Sequence, residues 1–345
     1  MTVDSPGESP GQSDRSGFGP VRVVRVGFIG VGGVAQVHLR ALEGMSNVRI
    51  AAVSDVSVEA AQTAARRFED CRAYDDHQAM LDGVELDAVY VCLPPGAHRG
   101  QEIDVARRGL ALFVEKPVGL DLAWVRETAD VVARNGLLTS VGYNWRYLES
   151  TELARATLAD RPVGLAMGFW LGGLPGTPWW RLRAHSGGQV VEQATHIFDL
   201  CRYLIGEVST VFAGASRGQF QELAGYDIDD ASACTLLFKN GTVGTIVATD
   251  LAPRGYSNIG LHLISRDLTV EITPTRLRVS RPGRVEDVVA TGNAYQAEDR
   301  AFVQAVAGGD RTRIRSDYAD AVRTLELTLA AARSMESEQA VRLED

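Results

Sequence analysis

The feature that most constrains this chain is a strand, a glycine-rich turn and a helix in immediate succession. The apolar run Val23 to Ile29 leads into Gly30-Val31-Gly32-Gly33-Val34-Ala35, and helix-like sequence continues to Glu43. In that context backbone N–H groups and a helix N-terminus can meet a phosphate. Gly30 permits the tight turn, Gly32 lets a diphosphate approach, and Ala35 keeps helix and strand close, with Gly33 and Val34 between them. A second apolar run, Val48 to Val53, and an Ala-rich helix, Val58 to Phe68, follow. The order is βαβ.

The alternation continues through a strand at Ala88 to Cys92, a helix from about His98 to Arg108, strand Ala111 to Val114, helix Leu122 to Asn135 and strand Leu138 to Val141. Such runs need a parallel sheet covered on both faces. After Tyr143 longer β-rich segments take over: Val163 to Leu171, Val208 to Ser216, Ala231 to Phe238, Thr242 to Thr249, Ile259 to Ser265 and Leu268 to Ile272. Hairpin signals such as Asn240-Gly241 make this second sheet largely antiparallel. Helical sequence interrupts it at Val190 to Leu204 and closes the chain at Tyr318 to Ser337. The expected fold class is α/β: an N-terminal Rossmann domain with a doubly wound parallel sheet over residues 21–142, and a C-terminal α/β domain over 143–345 on a large, mostly antiparallel open sheet. Residues 1–20 lack both aliphatic periodicity and β-branched clusters and are expected to form a disordered tail.

A chain of 345 residues with a formal net charge of −9 suits two domains and disfavours a broad nucleic-acid footprint. No stripe of Lys and Arg interleaves with aromatics. The first twenty residues do not resemble a signal peptide and no apolar run is long enough to span a bilayer, so a soluble, cytoplasmic protein is expected. The four cysteines, Cys71, Cys92, Cys201 and Cys234, lie far apart and read as reduced, packed thiols.

Asp55 lies 23 residues after Gly32, at the end of the second strand, where a carboxylate can accept hydrogen bonds from both ribose hydroxyls of an adenosine. It would repel a 2′-phosphate, and Val56 beside it supplies no cation. NAD is therefore favoured over NADP, which stays open. Lys116 directly follows the strand Ala111 to Val114 and precedes Pro117, at the carboxyl end of the sheet where ligands sit in open α/β folds. An ammonium there can stabilise alkoxide character on a reacting oxygen.

Glu115-Lys116-Pro117, preceded by Asp87-Ala88-Val89-Tyr90-Val91-Cys92-Leu93-Pro94-Pro95 and His98, closely resembles the Gfo/Idh/MocA family of oxidoreductases. The resemblance runs from about Val23 to the C-terminal helix. It implies that Leu93, Pro94, His98, Glu115 and Lys116 join the glycine turn in holding the cofactor. Gly187-Gly188-Gln189-Val190-Val191-Glu192-Gln193-Ala194-Thr195-His196-Ile197-Phe198-Asp199 is similar to the family's second signature, in which a carboxylate precedes the catalytic histidine by four residues. In one continuous helix Glu192, His196 and Asp199 would share a face. His196 would take the hydroxyl proton as hydride departs, and Glu192 would orient it or contact substrate. Two departures are visible: the commoner pattern has Asp where Glu192 stands and Gly in place of Ala194.

Tyr143-Asn144-Trp145-Arg146 resembles the family's segment at the domain junction that faces the active site. Arg146 would bind substrate or brace the interface, since Arg suits both. Trp180, beside Trp179, would wall a sugar ring or anchor packing. His185 and Asp199 are further candidates for substrate contact. The spacing of Glu192, His196, Asp199 and His185 matches no common zinc pattern, so no metal is expected. The resemblance implies hydride transfer between a nicotinamide and a secondary alcohol or ketone of a sugar, cyclitol or related polyol, in a homodimer or homotetramer. The apolar faces of the second sheet, with Leu236, Phe238, Ile246, Leu261 and Leu263, would receive the partner copy. Two alternatives remain: an NAD-binding regulator that turns nothing over, and a glycosidase- or epimerase-type enzyme that oxidises and re-reduces a ring.

Overall fold

The computed structural model describes residues 22–343. The expected tail at residues 1–20 lies outside them. The first sheet follows the sequence pattern: β1 (Val24–Ile29), α1 (Gly33–Glu43), β2 (Val48–Ser54), α2 (Val58–Ala65), β3 (Arg72–Tyr74), α3 (His77–Gly83), β4 (Ala88–Val91), α4 (Gln101–Arg107), β5 (Ala111–Val114), α5 (Leu122–Arg134) and β6 (Thr139–Val141). Its six strands run in the order β3-β2-β1-β4-β5-β6, all parallel. The order reverses between β1 and β4, so a crevice opens beyond their carboxyl ends. Side-chain caps fix the helix starts: Ser57 accepts from the Ala60 N–H and Asp121 from the Ala123 N–H.

The second half comprises α6 (Glu149–Leu158), β7 (Leu165–Gly172), α7 (Arg183–Ser186), α8 (Gln189–Glu192), α9 (Thr195–Ile205), β8 (Val208–Ser216), β9 (Ala231–Phe238), β10 (Val243–Thr249), β11 (Ser257–Ser265), β12 (Leu268–Thr273), β13 (Arg276–Arg281), β14 (Arg284–Val289), α10 (Ala294–Val306), α11 (Tyr318–Ser337) and β15 (Val341–Arg342). Nine strands form one sheet in the order β14-β13-β12-β11-β7-β10-β9-β8-β15. Among the described residues β7 and β10 make its one parallel pair. No helix among them is long and apolar enough to cross a membrane.

Two expectations need correction. Leu236, Phe238, Ile246, Leu261 and Leu263 do not offer themselves to a partner. They are buried in the chain's own core beneath α9 and α11, with Ile197, Phe198, Leu327 and Ala331. Side chains alternate along a strand, so the outward face carries their neighbours instead, including Leu165, Leu237 and Val243. The segment Val190 to Leu204 is also not one helix. It breaks at Gln193 and Ala194, where the Ala194 N–H reaches back to Gln189 O and the Ile197 N–H only to Ala194 O, a wide turn followed by a tight one.

The chain after residue 293 returns to the first domain. Phe302 and Val303 of α10 pack with Phe28 and Leu39, while α11 contributes Tyr318 and Leu325 to the core under β4 to β6 and Leu327 and Ala330 to the core of the second sheet.

Candidate active site

A cleft of about 420 Å3 lies where the carboxyl ends of β1, β4 and β5 meet α8, α9 and the Trp179-Trp180 turn. Its cofactor side is the glycine turn. Gly30 sits at φ +86°, and a Cβ there would lie 2.4 Å from Cys92 O, so only glycine allows β1 and β4 to end side by side. Gly32 and Gly33 face open space, and Gly32 caps α1 with no side-chain hydrogen bond. The first-turn N–H groups of α1 are thus presented without a side-chain acceptor, which fits a pyrophosphate. Val34, Leu93, Pro94, Glu115 and Lys116 line the same cleft, while Ala35 is buried against the sheet. Asp55 holds the turn from the far side, accepting from the Val31 N–H at 3.0 Å and the Ser57 N–H at 2.9 Å.

The chemistry-bearing residues come from both domains. Lys116 follows β5, and its Nζ donates to Glu192 Oε1 at 2.7 Å and to Glu192 O at 2.8 Å. Glu192 ends α8 and His196 lies in the first turn of α9, so the break between those helices lets the carboxylate turn to Lys116 while the imidazole faces the cleft. His196 stacks on Trp170 with ring centroids 5.7 Å apart, and Trp145 lies at 6.1 Å. Burial, aided by the Lys116 charge, holds its pKa well below the usual histidine range. His196 is therefore a neutral imidazole at physiological pH, able to accept a proton.

Other candidates sit elsewhere. The Asp199 carboxylate is grasped by Arg146 through Nε at 2.7 Å and Nη2 at 2.6 Å and also accepts from the Thr324 hydroxyl, all of it buried behind α9. Tyr143 lies beneath His196 with its hydroxyl 3.1 Å from Thr195 Oγ1, and Asn144 is buried beside it. These four residues form the floor support, not the cleft wall. His98 is paired with Glu102 in a separate recess against α5, and His185 is exposed on α7. The backbone at Ala184 and His185 packs so closely on Gly96 that a Cβ there would lie 2.2 Å from Ala184 O. Trp180 does line the cleft, with Trp179 and Trp170.

Sequence reasoning passed over several groups. Tyr295, at the start of α10, closes one wall of the cleft. His38 of α1, fully buried, bridges Glu115 Oε1 at 2.9 Å and Asp299 Oδ1 at 2.8 Å. Desolvation opposes its charge, but the two carboxylates win and raise its pKa well above normal. Glu115 in turn accepts from the Lys116 N–H at 2.9 Å, so His38 steadies the backbone that carries the lysine. Both side chains find their partners across long stretches of sequence, which left no local signal beyond a lone His on the apolar stripe of α1.

Residues 24–143 match the family model for the oxidoreductase family with an NAD-binding Rossmann fold, GFO/IDH/MocA, and residues 161–279 match the model of the GFO/IDH/MocA C-terminal domain. The chain belongs to the Gfo/Idh/MocA family. Among its relatives, myo-inositol 2-dehydrogenase of Thermotoga maritima is 24% identical over 93% of this chain and 99% of its own length. The scyllo-inositol 2-dehydrogenase (NAD(+)) of Bacillus subtilis is 26% identical over 93% and 96%. A structure of levoglucosan dehydrogenase with NADH and levoglucosan superimposes with a TM-score of 0.85, at 21% identity over 94% of this chain and all 100% of that one. The Gfo/Idh/MocA cofactor half is the sheet with the glycine turn, and NAD is the cofactor that its cradle fits.

Proposed function

We propose that this chain is an NAD-dependent dehydrogenase that moves a hydride between the nicotinamide and a secondary alcohol or ketone of a sugar, cyclitol or related polyol. The observation that carries the reading is the meeting, in one cleft beside the glycine turn, of a lysine held by a carboxylate and a neutral histidine. Bound NAD supplies the hydride acceptor. Lys116 donates a hydrogen bond to the substrate oxygen and stabilises its alkoxide character, Glu192 fixes the Lys116 ammonium in place, and His196 takes the hydroxyl proton. Trp170, Trp179 and Trp180 offer aromatic faces to the C–H face of a ring. The inositol and levoglucosan dehydrogenases among the relatives support a polyhydroxylated substrate.

Asp55 supports NAD over NADP, because a carboxylate at the end of β2 would repel a 2′-phosphate and Val56 beside it, 97% exposed, offers no countercharge. The test is NADH formation with a panel of cyclitols, aldoses, aminosugars and glycosides, run with NAD and NADP in parallel. Turnover of one substrate class with a higher kcat/KM for NAD is expected. A higher kcat/KM for NADP overturns the cofactor preference, and tight NAD binding with no turnover anywhere on the panel favours a regulator.

A further inference from the structure

Behind Glu192 the cleft is backed by a small chamber of about 10 Å3, close to the room one water needs. Its wall includes Trp180, Gln189, Glu192, Gln193 and Asp250, the last just beyond the end of β10. Glu192 gives Oε1 to Lys116 and keeps Oε2 buried without a partner; Asp250 accepts from Gln189 Nε2 through Oδ1 at 2.9 Å and keeps Oδ2 buried without one. Gln189 Oε1 and Gln193 Oε1 are unpaired acceptors as well. Among the described residues of the wall, the unpaired buried donor is Trp180 Nε1. Buried polar atoms are hydrogen-bonded in folded proteins, and these belong to residues lining a space of one water's size, which suits a bridging group that both donates and accepts.

We propose that the chamber holds one ordered water, which accepts from Trp180 Nε1 and donates to Glu192 Oε2 and Asp250 Oδ2, and that Asp250 is a positioning residue whose protonation state reaches the Lys116–Glu192 pair through it. The inference rests on the dehydrogenase reading above. Burial, with the Glu192 and Asp230 carboxylates beside it, pushes the Asp250 carboxyl up to about 7. The groups around it are Glu192 of α8 and Asp230 and Tyr226 from the segment before β9, and Glu192 leads on to Lys116. Asp229 is already engaged with Arg183 and Arg217. Below neutral pH the Asp250 carboxyl is uncharged and donates its own proton to the water, which still donates to Glu192 Oε2. As Asp250 ionises, a second negative charge stands one water away from Glu192 and strengthens proton uptake by His196, so alcohol oxidation accelerates as pH rises through neutrality.

The test is an infrared titration of the full chain carrying isotopically labelled aspartate, without substrate, alongside the pH profile of kcat for wild type and Asp250→Asn. A carboxyl band that titrates near pH 7 in wild type and is missing in Asp250→Asn is expected, together with a step in the wild-type kcat profile that the variant lacks. Trp180→Phe removes the water's donor and no charge, and the midpoint of the band should move. No neutral-range band, an unmoved midpoint in Trp180→Phe, or a step that survives in Asp250→Asn overturns the proposal. Since the band needs no turnover, its presence with no polyol oxidised would sink the dehydrogenase reading and leave the chamber in place.

Discussion

At the scale of single residues, the decisive property of the site is the neutrality of His196. An imidazole enclosed by Trp145, Trp170 and Tyr143 loses hydration if it is charged, and the Lys116 ammonium adds repulsion. Lys116→Met removes the second effect and keeps the first. The His196 pKa, followed by NMR of labelled histidine, should therefore rise in the variant and stay below the free-histidine value; an unchanged pKa contradicts the coupling of the two groups. Lys116, Glu192 and His196 were legible in the sequence because short motifs carry them. Arg146 and Asp199 were legible as polar residues near those motifs, but their bidentate pairing depends on the turn of α9 against the segment after β6. His38, Tyr295 and Asp250 had no such marking, since each acquires its role from partners far away in the chain.

At the scale of elements, the break between α8 and α9 does what one continuous helix could not. It sends Glu192 towards Lys116 of the other domain and leaves His196 facing the cleft, while Asp199, one turn further along α9, pairs with Arg146. That last pair, with Arg146 also 2.6 Å from Asp320, ties the chain after β6 to α9 and α11. Arg146→Ala leaves the Asp199 carboxylate buried without its cation, which should cost about 3–5 kcal/mol of stability in urea unfolding. The KM of the folded variant should barely change. A large rise in KM with little loss of stability would make Arg146 a substrate ligand instead. Strands β8 and β9 were readable to the residue as β-rich runs. The β13–β14 hairpin was not, because Arg and Asp side chains at the sheet edge interrupt its apolar positions, although Leu277 and Val279 do alternate inward. Helix α10 escaped notice for a related reason: Glu298 and Asp299 occupy its buried face, both fully enclosed, and spoil the apolar stripe.

At the scale of the whole molecule, α11 is the beam that fixes the two domains together, with one half in each core. The outward face of the nine-stranded sheet is left with an apolar row across three neighbouring strands, Leu165, Val243 and Leu237, directly opposite one another in register. We expect this face to carry a second copy of the chain. Sedimentation should show a dimer or tetramer that Leu237→Asp shifts towards monomer; monomers alone at working concentration would contradict it. The central claim also belongs to this scale, because Lys116 comes from the parallel sheet and His196 from the domain built on the other one. Its most direct test is the steady-state kcat for NADH formation in Lys116→Ala, His196→Ala and the double variant. Each single substitution should lower kcat by roughly a hundred- to a thousandfold, and the double should lose little more than the worse single, as residues acting on one transition state do. A single variant that turns over like wild type would remove that residue from the chemistry and contradict the joint site.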